Sequence, residues 1–222
     1  MQQAWFVTGT DTGVGKTLVS AALMTALART GRRVVGMKPV ASGCDATPHG
    51  LRSADAEALR AAGNVTADYE EVNPYALAAP TAPHLAAAAA GVQIDVATIH
   101  RQYAHLAARS DAVVVEGIGG WLVPISRIQT MADVVRSLEL PVILVVGMRL
   151  GCLNHALLTE HAIATSGCRL VAWVANTLES GVPDGYVEAL TDCLDAPCLG
   201  VVPFASAVSI AADSLDLRVI GI

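Results

Sequence analysis

Two lysines occur in the chain, Lys16 and Lys38, and each follows a short apolar run near the N-terminus. The remaining Lys/Arg-type cations are arginines, whose flat, weakly hydrated forks suit surface charge and bidentate pairing. Lysine is a compact ammonium on a flexible stem, suited to reaching into a cluster of phosphates or carboxylates as a point charge. The surroundings of Lys16 point that way. It closes the stretch Gly9-Thr10-Asp11-Thr12-Gly13-Val14-Gly15-Lys16-Thr17, preceded by the apolar Ala4-Trp5-Phe6-Val7 and followed by Leu18-Val19-Ser20-Ala21-Ala22-Leu23. Strand, glycine-rich loop, Gly-Lys-Thr and helix is the order of a phosphate cradle. Glycines let successive N–H groups turn inward, the helix N-terminus adds partial positive charge, and the lysine reaches the outer phosphates. Thr17 would offer its hydroxyl to Mg2+. Thr10 stands where the common pattern has its first glycine, with Gly9 one step earlier, so the loop is a variant of that pattern.

The elements that must carry these residues read as an alternation. Short β-branched runs at residues 33–37, 112–115, 142–146, 170–175 and 199–202 alternate with helical spacing at 53–62, 95–110, 153–166 and 184–194. Residues 86–90 are an alanine run that also reads as helix. The alternation implies one α/β domain spanning 1–222, a parallel sheet with helices on both faces in three layers, of the P-loop NTPase type. Residues 140–147 are nearly all apolar, as a central strand covered on both sides requires. In such a sheet ligands bind beyond the carboxyl ends of the strands. Lys38-Pro39-Val40-Ala41-Ser42-Gly43 follows the second strand, so Lys38 should point into the same crevice as Lys16, with the Ser42 hydroxyl nearby. Glu116-Gly117-Ile118-Gly119-Gly120 follows another strand and places a carboxylate, able to hold Mg2+ directly or through water, before glycines that admit a ligand to the backbone.

Composition narrows the alternatives. A chain of 22.9 kDa with 53% hydrophobic and 15% charged residues has enough apolar material for a buried core. Its apolar runs are broken by Gly, Pro or charge before membrane-spanning length, and the N-terminus lacks a basic-then-apolar export signal. A soluble cytoplasmic protein without a membrane partner is expected. The net charge of -6 and the absence of a basic cluster argue against a nucleic-acid surface. Five scattered cysteines, with no Cys-x2-Cys pair, suggest neither a disulfide framework nor a zinc site. The six histidines show no metal-ligand spacing.

Taken together, the loop at 9–17, Lys38-Pro39-Val40-Ala41-Ser42-Gly43, Val115-Glu116-Gly117-Ile118-Gly119-Gly120-Trp121 and Leu150-Gly151-Cys152-Leu153-Asn154-His155 resemble the dethiobiotin synthetase family. Asn73-Pro74-Tyr75, Ala79-Pro80-Thr81-Ala82-Pro83-His84 and Trp173-Val174-Ala175-Asn176 fit the same family in the same order. The resemblance implies an ATP- and Mg2+-dependent ligase of biotin biosynthesis, closing a ureido ring on 7,8-diaminononanoate with CO2 through a carbamate and a carbamic-phosphoric mixed anhydride. By matched position, Thr12, Lys16, Lys38 and Ser42 would surround the carbamate and γ-phosphate, with Lys38, Lys16 and Thr12 catalytic. Thr17, Asp55 and Glu116 would bind the metal. Gly13, Val14, Gly15, Leu18, Gly117, Ile118 and Gly119 would line the nucleotide, Asn176 would bond adenine, and the Pro203-Phe204-Ala205 backbone would lie beside it. The N–H groups of Gly151, Cys152, Leu153 and Asn154 would hold the substrate's far carboxylate across a two-fold interface, which implies a homodimer. Cys152 itself reads as a small buried residue.

Some positions depart from the family pattern. Residues 204–209 lack an acidic group that some relatives place near the ribose, Thr177 replaces an Asp often found after the adenine-contacting Asn, and Gly13 stands where some relatives carry Glu. Two other readings compete. A nucleotide-switched partitioning ATPase would carry a further lysine early in the loop, and an amide-forming ligase acting on a cobalamin precursor would bring a glutaminase segment.

Overall fold

The computed structural model describes residues 3–179 and 184–222. Along the chain run β1 (Gln3–Gly9), α1 (Lys16–Arg29), β2 (Val34–Met37), β3 (Val40–Ser42), β4 (Asp45–Thr47), β5 (Gly50–Arg52), α2 (Ala54–Ala62), α3 (Tyr69–Val72), β6 (Tyr75–Leu77) and α4 (Pro83–Ala89). Then follow α5 (Val96–Ala107), β7 (Ala112–Glu116), α6 (Met131–Leu138), β8 (Val142–Met148), α7 (Cys152–Thr165), β9 (Leu170–Thr177), α8 (Tyr186–Cys193), β10 (Cys198–Val202), α9 (Val208–Asp213) and a closing 3-10 turn, Leu217–Ile220. The main sheet has the order β10-β9-β8-β1-β7-β2. All of its pairings are parallel. The expected α/β architecture with helices on both faces is therefore present, and each expected strand and helix is found with ends shifted by a few residues.

Alternation along the strands divides the core. Trp5, Val7, Val114, Ile143, Val145 and Val174 pack with α1 and α9 on one face. Phe6, Val113, Val115 and Val142 face α5 and α6 on the other, where Leu144, Val146, Trp173 and Ala175 continue the layer under α7 and α8. β8 is buried at every position, as its unbroken apolar composition requires of a strand covered on both sides.

Sequence periodicity did not indicate the small β3–β6 and β4–β5 pairs, α3, α6 or α9. Strands of three residues and helices of four and six carry too few repeats of either period to stand out. For α6 a local signal was available. Thr130 and Asp133 form a capping box at its start, with Asp in place of the usual Glu or Gln.

β1 lies between β7 and β8, and its crossover to β2 leaves in the opposite direction from the run β8, β9, β10. The crevice beyond the carboxyl ends of the central strands is thus the expected place for a ligand. Register brings specific residues to it. Val7 pairs with Glu116 and Met37 with Val115, so the residue after Met37, Lys38, emerges beside Glu116.

Candidate active site

The loop from β1 to α1 is built for close approach to an anion. Gly15 caps α1 with φ +90, a conformation that favours glycine, and any side chain there would collide with the Asn176 amide. Among the described residues, the N–H groups of Gly13, Val14, Gly15, Lys16 and Thr17 have no backbone or side-chain acceptor. Five donors converge at a helix N-terminus, a fitting cradle for a polyphosphate. The loop is fastened at both ends, by Thr10 N–H to the Val145 carbonyl (3.1 Å) and by Asn176 Nδ2 to the Val14 carbonyl (2.9 Å).

Lys16 is 7% exposed and donates to the Asp11 carbonyl at 2.9 Å. Burial, then the charge of Lys38, brings its pKa down to about 8, against the pull of Glu116, Asp55 and Asp11. Lys38 is 2% exposed. Its ammonium lies 2.6 Å from Glu116 Oε1 and 2.8 Å from Asp55 Oδ2, and it donates to the Gly117 carbonyl at 2.9 Å. Burial opposes that charge, but the two carboxylates outweigh it and hold the pKa above the ordinary lysine value. For Asp55, burial pushes the carboxyl up, yet the Lys38 charge beside it wins and keeps it below the usual carboxylate range.

Thr17 Oγ1 is within hydrogen-bond distance of both acids, 2.8 Å from Asp55 Oδ1 and 2.9 Å from Glu116 Oε1. Glu116 is wholly buried and its Oε2 has no partner. A hydroxyl and two carboxylates, with one buried oxygen unsatisfied, form a hard-oxygen set that suits Mg2+ completed by phosphate and water. Only two of these ligands are acidic, in keeping with the absence, among the described residues, of a cluster of three or more His, Cys, Asp or Glu able to hold a metal unaided.

A buried polar chain holds Lys38 and the start of α2 together. Lys38 N–H donates to the Val72 carbonyl at 2.8 Å, and the Lys38 carbonyl accepts from Asn73 Nδ2 at 2.6 Å. Asn73 Oδ1 accepts from the Tyr69 hydroxyl at 2.9 Å, which in turn accepts the Ser53 N–H at 2.7 Å. Ser53 caps α2, whose second residue is Asp55. In the sequence Asn73 stands in a segment matched to the family but carries no signal for this role, and nothing local marks Tyr69.

A cavity of about 740 Å3 gathers Thr12, Gly13, Gly15, Lys16, Thr17, Lys38, Ser42, Asp55, Glu116, Ile118 and Gly119. Its size falls within the roughly 300–1,000 Å3 usual for small-molecule sites. The wall opposite the phosphate loop is Pro80, Thr81, Ala82 and Pro83, with Ala41 and Val123, residues given no role from the sequence. Val14 is buried beneath the loop and Leu18 half-buried on α1. Asn176, also buried, leaves its Oδ1 without a partner.

The remaining candidates do not line this cavity. Gly151, with φ +92, caps α7, and Cys152, Leu153 and Asn154 form its first turn. Cys152 is buried, as its small size suggested, and all five cysteines are free thiols. Pro203, Phe204 and Ala205 follow β10 and are exposed.

A parallel sheet with a phosphate loop at the end of β1 and a cation-carboxylate cluster at the ends of β2 and β7 defines a P-loop nucleotide-dependent protein. Residues 3–211 match a family model described as an AAA domain. Solved structures sharing the fold include the MinC:MinD cell division complex of Aquifex aeolicus, at TM-score 0.59 and 19% identity over 97% of this chain and 87% of that one. The cell division ATPase MinD of Pyrococcus furiosus matches at TM-score 0.55 and 20% identity over 91% and 84%. At such identities the likeness concerns the fold alone. Sequence relatives are far nearer. The ATP-dependent dethiobiotin synthetase BioD of Xanthomonas euvesicatoria is 48% identical over 97% of each chain, and that of Aromatoleum aromaticum is 47% identical over 99% of this chain and 98% of its own. The chain belongs to the ATP-dependent dethiobiotin synthetase family.

Proposed function

We propose that the protein, as one domain over 1–222, converts 7,8-diaminononanoate, CO2 and ATP to dethiobiotin, ADP and phosphate. The observation that carries this reading is the meeting of Lys16, Lys38, Thr17, Asp55 and Glu116 around one cavity next to the phosphate loop. Three kinds of anion must share that space: a carbamate, the γ-phosphate and the departing phosphate.

In the proposed sequence an amine nitrogen of the diamine adds to CO2 and loses a proton, giving a carbamate. A carbamate oxygen attacks the γ-phosphorus, ADP leaves, and a mixed anhydride forms. The second amine attacks the carbonyl carbon, phosphate departs with the bonding pair, a proton is lost and the ring closes. Lys16 and Lys38 neutralise charge as the phosphoryl group moves, work that positioned cations do best in a site shielded from water. The N–H groups of residues 13–17 hold the phosphates, while Thr12 and Ser42 orient the carbamate. Thr17, Asp55 and Glu116 would hold Mg2+, which supplies further charge neutralisation on the phosphate oxygens. Asn176 Oδ1, which has no partner within the protein, would accept from the adenine amino group, with Pro203, Phe204 and Ala205 flanking the base.

The backbone N–H groups of Gly151, Leu153 and Asn154, on the positive end of α7, take the substrate's tail carboxylate, while that of Cys152, a fourth donor expected from the sequence, is engaged by the Arg149 carbonyl at 3.0 Å. Supporting a homodimer in which that clamp serves the partner's site, Leu150 lies 87% exposed immediately before it. Among the described residues no helix is long and apolar enough to cross a membrane, and we propose a cytoplasmic location for the enzyme.

Incubation with ATP, Mg2+, bicarbonate and the diamino acid tests the reading. A product heavier by one carbonyl and lighter by two hydrogens, with equimolar ADP, is expected. ATP hydrolysis without that product would refute it.

A further inference from the structure

We propose that Arg149 is a positioning residue for the reaction, acting through Asp11 to hold the leading half of the phosphate loop against the turn that opens α7. The inference rests on the synthetase reading above and adds to it two residues that reading leaves without a role.

Asp11 accepts three hydrogen bonds. Its Oδ1 takes the Thr12 N–H at 2.7 Å, its Oδ2 takes Arg149 Nη2 at 3.0 Å, and its peptide carbonyl takes the Lys16 ammonium at 2.9 Å. Residues 11–13 are exposed, between the anchors at Thr10 and Val14. Among the described residues, the Asp11–Arg149 pair is the one hydrogen-bonded tie from residues 11–13 to any part of the molecule beyond the phosphate loop and Lys16 at the start of α1. The placement of Thr12, and of the carbonyl that steers Lys16, therefore depends on it.

The other end of the tie is as specific. Arg149 follows Met148, the last residue of β8, and its own carbonyl accepts the Cys152 N–H at 3.0 Å, forming the turn that carries Gly151 into α7. One residue thus braces the phosphate loop through its side chain and the proposed tail clamp through its backbone. Both groups of the pair are about half exposed, with side chains 42% and 52% accessible. Such a pair adds little to global stability. Small displacements of groups that act on moving charge nevertheless lower turnover steeply, so the pair should show itself in rate and ligand affinity and not in melting temperature.

The test is a double-mutant cycle in the full-length protein with Arg149→Ala, Asp11→Asn and the pair combined, plus Arg149→Lys. Readouts are melting temperature, kcat and KM for ATP and diamino acid, and affinity for Mg2+-ADP. Each single variant should melt within about 2 °C of the wild type and lose about threefold to tenfold in kcat. The double variant should be no worse than either single, and Arg149→Lys should recover part of the loss by restoring a cation. Unchanged turnover in Arg149→Ala, or losses that multiply in the double variant, would overturn the proposal. The ADP arm separates this failure from that of the synthetase reading. A wild type without ring-closed product but with non-additive ADP affinities would defeat that reading and keep the strut. Normal product formation with additive effects would defeat the strut alone.

Discussion

The phosphate end of the crevice and its far ends are built in opposite ways. At the phosphate end Lys38 is 2% and Glu116 0% exposed, each the other's buried partner, and of their close charged neighbours Asp55 alone, its side chain 44% exposed, reaches solvent appreciably. At the far ends, Leu150 beside the α7 turn is 87% exposed and Phe204 after β10 is 54% exposed, and the groups proposed to contact ligand are mostly backbone. Charge that must act on a moving phosphoryl group is preorganised inside the protein, where the low dielectric strengthens it. In the proposed reading, contacts to the base and the tail are left open at the surface, to be completed by ligand or by the second subunit of the proposed homodimer.

The largest effect expected from this contrast is at Lys38. Lys38→Ala should cut turnover by at least about 10²–10³, the usual loss when one charge-stabilising group is removed. It should also destabilise the fold by roughly 3–5 kcal/mol, because Glu116 is left as a buried unpaired charge. Product assays at a temperature where circular dichroism reports folded protein separate the two losses, and near-normal turnover would break the contrast. Asn73→Ala comes next. It leaves the Lys38 carbonyl and the Tyr69 hydroxyl short of a partner inside the protein, so about 1–3 kcal/mol should be lost in denaturant titrations.

Acidity provides a smaller, graded test. Lys16 titrates near 8 when folded and near 10.5 when unfolded, so below pH 8 both states are protonated and the burial penalty is fully present. Between these values the unfolded chain binds more protons, and stability should rise with pH. Nucleotide affinity should move the other way, weakening as pH rises past about 8 and the ammonium in the ligand-free protein is lost. A fluorescent-nucleotide titration from pH 7 to 9.5 checks this, and Lys16→Arg should flatten the profile. The smallest effect belongs to the surface. Leu150→Ser should change unfolding free energy by less than about 0.5 kcal/mol while weakening the proposed self-association in sedimentation experiments.

Much of the fold was legible in the sequence because the principal elements are long and periodic. The apolar run of β8 and the glycine-rich loop before Lys16 identify themselves locally. The strand-end positions of Lys38 and Glu116 could be read from the runs before them. Their partners could not. Lys38 meets Glu116 across 78 positions and Asp11 meets Arg149 across 138. Spacing over such distances carries no signal without an alignment of strands. Tyr69 is hidden for a related reason, since its role depends on a hydroxyl shared between the backbone of Ser53, which caps α2, and the side chain of Asn73.

By itself the amino-acid order determined the alternation of strand and helix, the phosphate loop, and the placing of both lysines after strands. These follow from local periodicity, glycine conformation and the absence of any other lysine. Only the tertiary structure decided that β1 sits between β7 and β8, that Lys38 is caged by Glu116 and Asp55, and that Arg149 reaches the phosphate loop. The reason is physical: strand order and register are chosen by burying two apolar faces at once, a condition on the whole chain, and the charged groups at the strand ends meet where that packing places them.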